Sequence, residues 1–122
     1  MDKIRIFGGV FALLSVVFGA FASHLLKKFI SVSALNSFEV GVRYMMYHGL
    51  ALLILSVIPM EEKKWIYRFF TIGTILFSFS IFLISLQTLI KLNLKWIGPI
   101  TPIGGTLLII GWIIFIINIF KS

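Results

Sequence analysis

Three ionisable side chains lie in one short stretch that is otherwise mostly apolar and aromatic. Glu39, Arg43 and His48 fall within residues 37–48, and the twelve residues that follow carry no charge. Ionisable groups are costly in hydrocarbon, so in a membrane span they face a protein interior or a water-filled cavity and pair with a partner. Residues 37–48 are therefore the first candidate for a functional site.

Helical spacing divides these side chains between two faces. Glu39, Arg43 and Tyr47 follow at four-residue steps, whereas Tyr44 and His48 share a face more than a quarter-turn away. Glu39 and Arg43 are spaced as an ion pair; the structural alternative is that Arg43 snorkels to the interface and the tyrosines join the aromatic belt. His48 lies too deep to snorkel, so its ring needs a serine or threonine partner, or it carries protons or binds a ligand.

His24, near the end of the first apolar segment, is the only other histidine. If the first two segments are antiparallel, His24 and His48 need not be far apart in depth, and two histidines could ligate a haem or a metal, although they show no motif spacing. Cysteine, HExxH, GxSxG, a phosphate loop and an intramembrane carboxylate pair are all absent from the sequence. We therefore expect that the protein is not an enzyme and that it has no catalytic residues, no metal and no cofactor.

Long charge-free runs indicate the elements that position these residues. Eighteen residues separate Arg5 from His24, 22 separate Arg68 from Lys91, and 25 separate Lys95 from Lys121. A bilayer core of about 30 Å needs about 20 helical residues. Only 12% of the chain is charged, against about 25% in soluble domains, so these runs are typical of membrane spans.

The sequence predicts a single all-α domain over residues 1–122, an integral membrane four-helix bundle with short loops. The helices are expected at about residues 4–26, 40–58, 66–90 and 102–120. Ser33 is a candidate N-cap for an earlier helix start at Ala34. A cleaved signal peptide is the alternative interpretation of the first segment, but its apolar stretch exceeds the usual 7–15 residues.

Small residues recur at helical spacing, which predicts packing surfaces where helices approach closely. In the first helix these are Gly8, Ala12, Ser15, Gly19 and Ala22; in the fourth, Gly104, Gly111 and Asn118; along the third, Thr71, Thr74, Ser78 and Ser85.

Residues 98–105, GPITPIGG, precede the fourth helix. Thr101 is the expected N-cap and Pro102 the expected first helical residue. Alternatively the segment dips into the bundle and turns free amides toward an anion or a headgroup, which makes Gly98, Pro99, Thr101 and Pro102 loop candidates for binding.

The net charge of +7 is carried mainly by loops and tails, so lipid headgroups rather than nucleic acid are the expected partners. One side would carry Lys3, Arg5, Lys63, Lys64, Arg68 and Lys121, and the other Lys27, Lys28, Lys91 and Lys95. We expect a multi-pass protein of the plasma membrane, and the positive-inside rule favours both termini in the cytoplasm. A homo-oligomer or a larger membrane complex is the other expected association.

Four ordered motifs carry a resemblance to a known family. They are Gly19–Lys27 (GAFASHLLK), Phe38–His48 (FEVGVRYMMYH), Gly98–Gly105 (GPITPIGG) and Gly111–Trp112. Over nearly its whole length the chain resembles the small membrane proteins of the domain of unknown function 423 family, which includes the uncharacterised family 0382 and the eukaryotic transmembrane protein 256. The resemblance implies four spans and no settled activity.

The chain departs from the family pattern at two places. Ser78-Phe79-Ser80 and Phe82 stand where the family has serine-glycine-serine and often a tyrosine. Ala22-Ser23 stands where the family has glycine and alanine before His24. If the family glycine permits a close approach of a ligand or helix, Phe79 obstructs it.

The leading hypothesis is a non-enzymatic accessory or small-ligand- or lipid-binding membrane protein. Arg43, Tyr44, Tyr47 and His48 are expected to line one pocket inside the bundle, with His24 and Glu39 as further candidates and residues 98–105 closing it. The alternatives are an oligomeric transporter or channel for a small solute or proton, and a redox- or haem-linked membrane subunit.

Overall fold

The computed structural model describes residues 2–121. Four helices follow one another: α1 (Asp2–Leu26), α2 (Val32–Val57), α3 (Lys64–Ser85) and α4 (Ile100–Lys121). Two of them change pitch, with π-helical segments at Phe18–Ala22 in α1 and Ile75–Phe79 in α3, and a 3-10 turn at Lys95–Ile97 precedes α4. All four helices are long and apolar enough to cross a membrane.

Helix α2 begins at Val32, earlier than the predicted starts at residue 40 or at Ala34. Ser31 rather than Ser33 is its N-cap: the Ser31 backbone is extended, and its hydroxyl oxygen accepts a hydrogen bond from the Ala34 N–H at 3.0 Å. This bond satisfies one of the donors that a helix start leaves free, so the helix forms two residues sooner than the Ser33 cap allows.

Helix α3 ends at Ser85, before the predicted residue 90. The chain leaves helical geometry at Leu86, whose φ of −96° and ψ of 0° begin a series of turns. The Gln87 side-chain oxygen accepts from the Leu94 N–H at 3.0 Å, and Lys91 adopts a φ of 58°. These interactions fold residues 86–94 back on themselves instead of extending the span.

Helix α4 begins at Ile100, so Thr101 lies in its first turn and is not the predicted N-cap. The Thr101 hydroxyl instead lies 2.6 Å from the Ser80 hydroxyl of α3. Pro102 is the third helical residue rather than the first. No helical hydrogen bond is lost there, because the first four N–H groups of a helix have no intrahelical partner.

Glycines set the closest contacts between helices, as the small-residue spacing predicts. A Cβ atom at Gly8 would lie 2.9 Å from the Gly49 carbonyl oxygen, so α1 and α2 are in backbone contact there. A Cβ atom at Gly104 would lie 2.9 Å from the Gly73 carbonyl oxygen and still nearer to the Phe77 backbone, so α3 and α4 are also in backbone contact. The packing role predicted for Gly8 and Gly104 is therefore confirmed.

Consecutive helices run antiparallel. Gly8 and Phe18 of α1 meet Gly49 and Phe38 of α2, in reverse chain order. The Ser78 hydroxyl of α3 donates to the Gly41 carbonyl of α2 at 2.8 Å, and Phe70 of α3 lies against His48. The connections at residues 27–31 and 86–99 therefore share one end of the bundle, and the connection at 58–63 lies at the other.

Candidate functional site

His48 occupies the interior of the bundle with only 4% of its surface exposed. Its Nδ1 lies 2.8 Å from the Tyr44 carbonyl oxygen, one helical turn earlier. Its Nε2 accepts a hydrogen bond from the Trp112 indole Nε1–H of α4 at 3.0 Å. Both ring nitrogens therefore have partners, which is what burial of an imidazole requires.

These two contacts fix the protonation pattern of the ring. An indole N–H only donates, so Nε2 must present its lone pair to Trp112. A carbonyl oxygen only accepts, so Nδ1 must carry the proton that it donates to Tyr44. The geometry thus selects the neutral Nδ1–H tautomer, in which neither nitrogen is left for a second ligand.

Aromatic rings enclose the His48–Trp112 pair. Phe70 packs edge-on against His48 with ring centroids 5.3 Å apart, and it contacts Trp112 at 4.8 Å. Tyr44 lies 4.8 Å from Phe77. Such contacts add about 0.5–1.5 kcal/mol each beyond the burial of area, so the pair is held by α2, α3 and α4 together.

A groove of about 380 Å³ opens beside this pair. It is lined by Tyr44, His48, Phe77, Pro102, Gly105, Thr106, Leu108, Ile109 and Trp112. We call it the His48 groove. Carboxylate, lysine and cysteine side chains are absent from its lining residues, and its walls are mostly apolar, as is usual for sites that hold small organic molecules.

Only part of the expected pocket is brought together. Tyr44 and His48 line the groove and Pro102 contributes from α4. Tyr47 and Arg43 are exposed at the bundle surface, and Glu39 is partly exposed. These three residues follow the outward face of α2, so the expectation of one pocket containing all of them is corrected; whether they bind anything stays a prediction.

The expected ion pair between Glu39 and Arg43 does not form within residues 2–121. Arg43 is exposed and Glu39 is partly exposed on α2, and the exposure of Arg43 agrees with the snorkelling alternative.

His24 is also separate from His48. It lies two residues before the end of α1, whereas His48 lies sixteen residues into α2. At 1.5 Å per residue this puts about 20 Å of depth between them, so the two histidines are not close in depth. His24 is exposed, and within residues 2–121 His, Cys, Asp and Glu form no cluster of three or more that could hold a metal.

The four loop candidates for binding, Gly98, Pro99, Thr101 and Pro102, do not lie together in one site. Gly98 and Pro99 lie in the turn before α4, with the Gly98 N–H donating to the Lys95 carbonyl at 3.0 Å. Thr101 holds α4 to α3 through Ser80, and Pro102 lines the groove. The segment starts a helix rather than dipping into the bundle.

Trp112, Phe70 and Phe77 are site residues that the candidate set does not contain. Trp112 belongs to one of the motifs that carry the family resemblance, and this was the one signal in the sequence that pointed to it. Phe70 and Phe77 are two of thirteen phenylalanines. Their spacing gave no reason to separate them from lipid-facing residues.

Four apolar helices in antiparallel order, with His48 and most other buried polar groups hydrogen-bonded inside the bundle, define an all-α integral membrane protein. The comparisons with known proteins agree. A family model described as a protein of unknown function, DUF423, matches residues 18–105. The chain belongs to this family.

Curated relatives match over almost the entire chain. A UPF0382 membrane protein of Staphylococcus aureus strain RF122 is 42% identical, covering 99% of this chain and 98% of the relative. Those of Staphylococcus saprophyticus and Staphylococcus haemolyticus are 37% and 38% identical, each over 99% of this chain and 99% and 98% of the relative, respectively. A significant match among solved structures was not found.

Proposed function

We propose that this protein is a non-enzymatic membrane component that binds a lipid-like small molecule in the His48 groove. The groove between α2 and α4 is the observation that carries this proposal. Its volume of about 380 Å³ lies within the 300–1,000 Å³ range of small-molecule sites. Because α2 and α4 both span the membrane, a ligand would enter from the bilayer.

The polar groups of the groove favour binding over catalysis. His48 and Trp112 are committed to each other, and the Thr106 hydroxyl donates to the Pro102 carbonyl at 2.8 Å. A general base needs a free lone pair within reach of the substrate, and His48 has none. The Tyr44 hydroxyl is the remaining polar tip, suited to a single oxygen of an otherwise apolar ligand.

The transport and redox alternatives draw less support from the described residues. His24 and His48 cannot act as two ligands of one group across their separation in depth, and His48 has both nitrogens engaged. A role as an accessory subunit remains compatible with the groove, since a bound lipid can also join two membrane proteins.

Groove filling tests the proposal. A Cβ atom at Gly105 would meet Phe77 only at ordinary contact distance, 3.5 Å, so Gly105→Leu fits at its Cβ and its longer side chain fills the groove. Gly9→Leu is the matched control, because a Cβ atom at Gly9 meets nothing within 4 Å.

Native mass spectrometry of protein purified in mild detergent provides the measurement. We expect a co-purifying lipid-like mass on the wild type and on Gly9→Leu, and at least tenfold less of it on Gly105→Leu. Equal retention on Gly105→Leu, or a wild type that carries no such mass, would contradict the proposal.

A further inference from the structure

A second groove, of about 300 Å³, lies between the start of α2 and the end of α3. Its polar lining consists of Ser31, Ser33, Ser37, Ser85, Gln87 and Thr88. We call it the serine groove. It lies at the end of the bundle that carries the connections 27–31 and 86–99, and it shares no lining residue with the His48 groove.

Ser85 is the unusual member of this groove. Only 4% of the residue is exposed, and its hydroxyl has no hydrogen-bond partner among residues 2–121. Leaving a buried hydroxyl without a partner is destabilising. Thr71 and Thr74 of α3 also have buried hydroxyls without a partner in the described part of the chain, but of these three residues only Ser85 lines this groove. The other buried serines are satisfied, for example Ser15 by the Phe11 carbonyl at 2.7 Å. The free Ser85 hydroxyl in the wall of a polar groove therefore points to a ligand that accepts a hydrogen bond.

The start of α2 supplies further donors. Ser31 satisfies the Ala34 N–H, and the Leu35 N–H bonds the Ser31 carbonyl. The N–H groups of Val32 and Ser33 are left without intrahelical partners, as at every helix start. This end of a 26-residue helix also carries the partial positive charge of the helix dipole, which favours an anion.

The charged side chains at this end of the bundle are mostly positive, which also favours an anion. Lys27, Lys28, Lys91 and Lys95 lie in its two connections. Glu39 is the only carboxylate side chain nearby, because the other acidic residues, Asp2, Glu61 and Glu62, belong to the opposite end. Glu39 is two residues beyond Ser37, which turns it about 160° away around α2.

We propose that the serine groove binds a phosphate group, either on the headgroup of a membrane phospholipid or as free phosphate. Phosphate presents several acceptor oxygens and negative charge, which matches a set of hydroxyl and amide donors at a helix start. The Gln87 side-chain oxygen is held by the Leu94 N–H, so its amide nitrogen remains as one more donor.

Two serine variants separate binding from folding. In Ser85→Ala the lost hydroxyl has no protein partner, so we expect no loss of thermal stability in detergent. If the Ser85 hydroxyl had a structural role, its removal would lower the thermal stability. Ser37 is exposed, so Ser37→Ala also leaves the fold intact. Ser56→Ala, which removes a buried hydroxyl bonded within its own helix at the other end, is the control.

Binding is measured on the full chain with three probes: inorganic phosphate, phosphatidylglycerol, and a diglucosyl diacylglycerol without phosphate. We expect a phosphate-bearing probe to bind the wild type and the Ser56→Ala control, and to bind Ser85→Ala and Ser37→Ala about tenfold more weakly, the effect of one charge-assisted hydrogen bond. Binding of phosphatidylglycerol with no binding of inorganic phosphate alone would assign a lipid headgroup, and binding of inorganic phosphate with no binding of phosphatidylglycerol would assign the free ion.

Equal affinity for the phosphate-free glycolipid, or phosphate binding that neither serine variant changes, would overturn the proposal. These outcomes leave the His48 groove untouched, because the two grooves are tested with different variants.

Discussion

At the scale of single residues, His48 and Trp112 show how a polar group is accommodated in a membrane span. The two side chains are 64 positions apart in sequence, yet the indole N–H of Trp112 satisfies the buried Nε2 of His48. A buried donor or acceptor that loses its partner costs about 1–3 kcal/mol. The pair therefore links α2 to α4 through a hydrogen bond whose loss would leave His48 Nε2 unsatisfied.

Trp112→Phe tests this link. We expect it to remove the hydrogen bond while keeping an aromatic ring, and to lower the free energy of unfolding by about 1–3 kcal/mol because Nε2 of His48 loses its donor. Denaturant titration in detergent measures the loss. Trp96→Phe is the matched control, since Trp96 is 70% exposed outside the bundle.

Imidazole ¹⁵N chemical shifts provide a second readout of the same variant. The wild type should show a single Nδ1–H tautomer, and Trp112→Phe should show exchange between tautomers. A wild-type spectrum dominated by the Nε2–H form would contradict the assigned hydrogen bonds.

The sequence predicted that His48 needs a partner but proposed a serine or threonine. The depth of His48 in the membrane span follows from counting residues along α2. The identity of its partner depends on how α4 is rotated about its axis. That rotation is set by Gly104 and Gly111 against α3 and by the change of pitch at Ile75–Phe79. Neither can be extrapolated from a regular helical period.

At the scale of elements, glycine contacts decide where the helices meet. Gly104 is buried where α4 crosses α3, and a Cβ atom there would overlap the backbone of Phe77. Because the obstacle is main chain rather than a flexible side chain, only separation of the two helices relieves it. The spacing of small residues made this contact predictable from the sequence. The position at which α3 ends was not predictable, because turn interactions of Gln87 and Lys91 end the helix within an apolar pattern.

Gly104→Ala should therefore destabilise the bundle by about 1–3 kcal/mol, the usual cost of overpacking. Gly9→Ala is the control: it adds the same methyl group in open space and should be neutral or stabilising, because alanine favours a helix by about 1 kcal/mol over glycine. Thermal unfolding of both variants in one detergent makes the comparison. Equal stability of the two would show that the α3–α4 contact is looser than described.

At the scale of the whole molecule, the arrangement of the spans determines which loops share a side of the membrane. The charge of the loops is the basis for predicting which side is cytoplasmic. Residues 58–63 lie at the end opposite residues 27–31 and 86–99. Three of the four spans were predictable because their charge-free runs are long enough to cross the membrane, whereas the second span, which contains Arg43 and His48, had to be inferred from its apolar residues and the polar turns before them. The sequence predicts the orientation less strongly than the spans, because the orientation depends on a small excess of lysine and arginine on one side.

Single-cysteine labelling tests the orientation without background, because the chain contains no cysteine. In intact cells we expect Lys91→Cys to react with a membrane-impermeant maleimide and Lys63→Cys to react only after the cells are permeabilised. The reverse pattern would place both termini outside the cytoplasm. Labelling of both sites in intact cells would contradict the separation of the two loops.

The two π-helical segments have a consequence for chain length. A π turn accommodates one residue more than the α turn it replaces, while the flanking turns keep their direction. Loss of one residue between Phe18 and Ala22, or between Ile75 and Phe79, would let the turn close as a regular α-helix without rotating the buried faces on either side. A deletion elsewhere in these helices would turn every later side chain by about 100°. These ten positions are therefore where the spans of related chains can differ in length by one residue and still present the same surfaces to their neighbours.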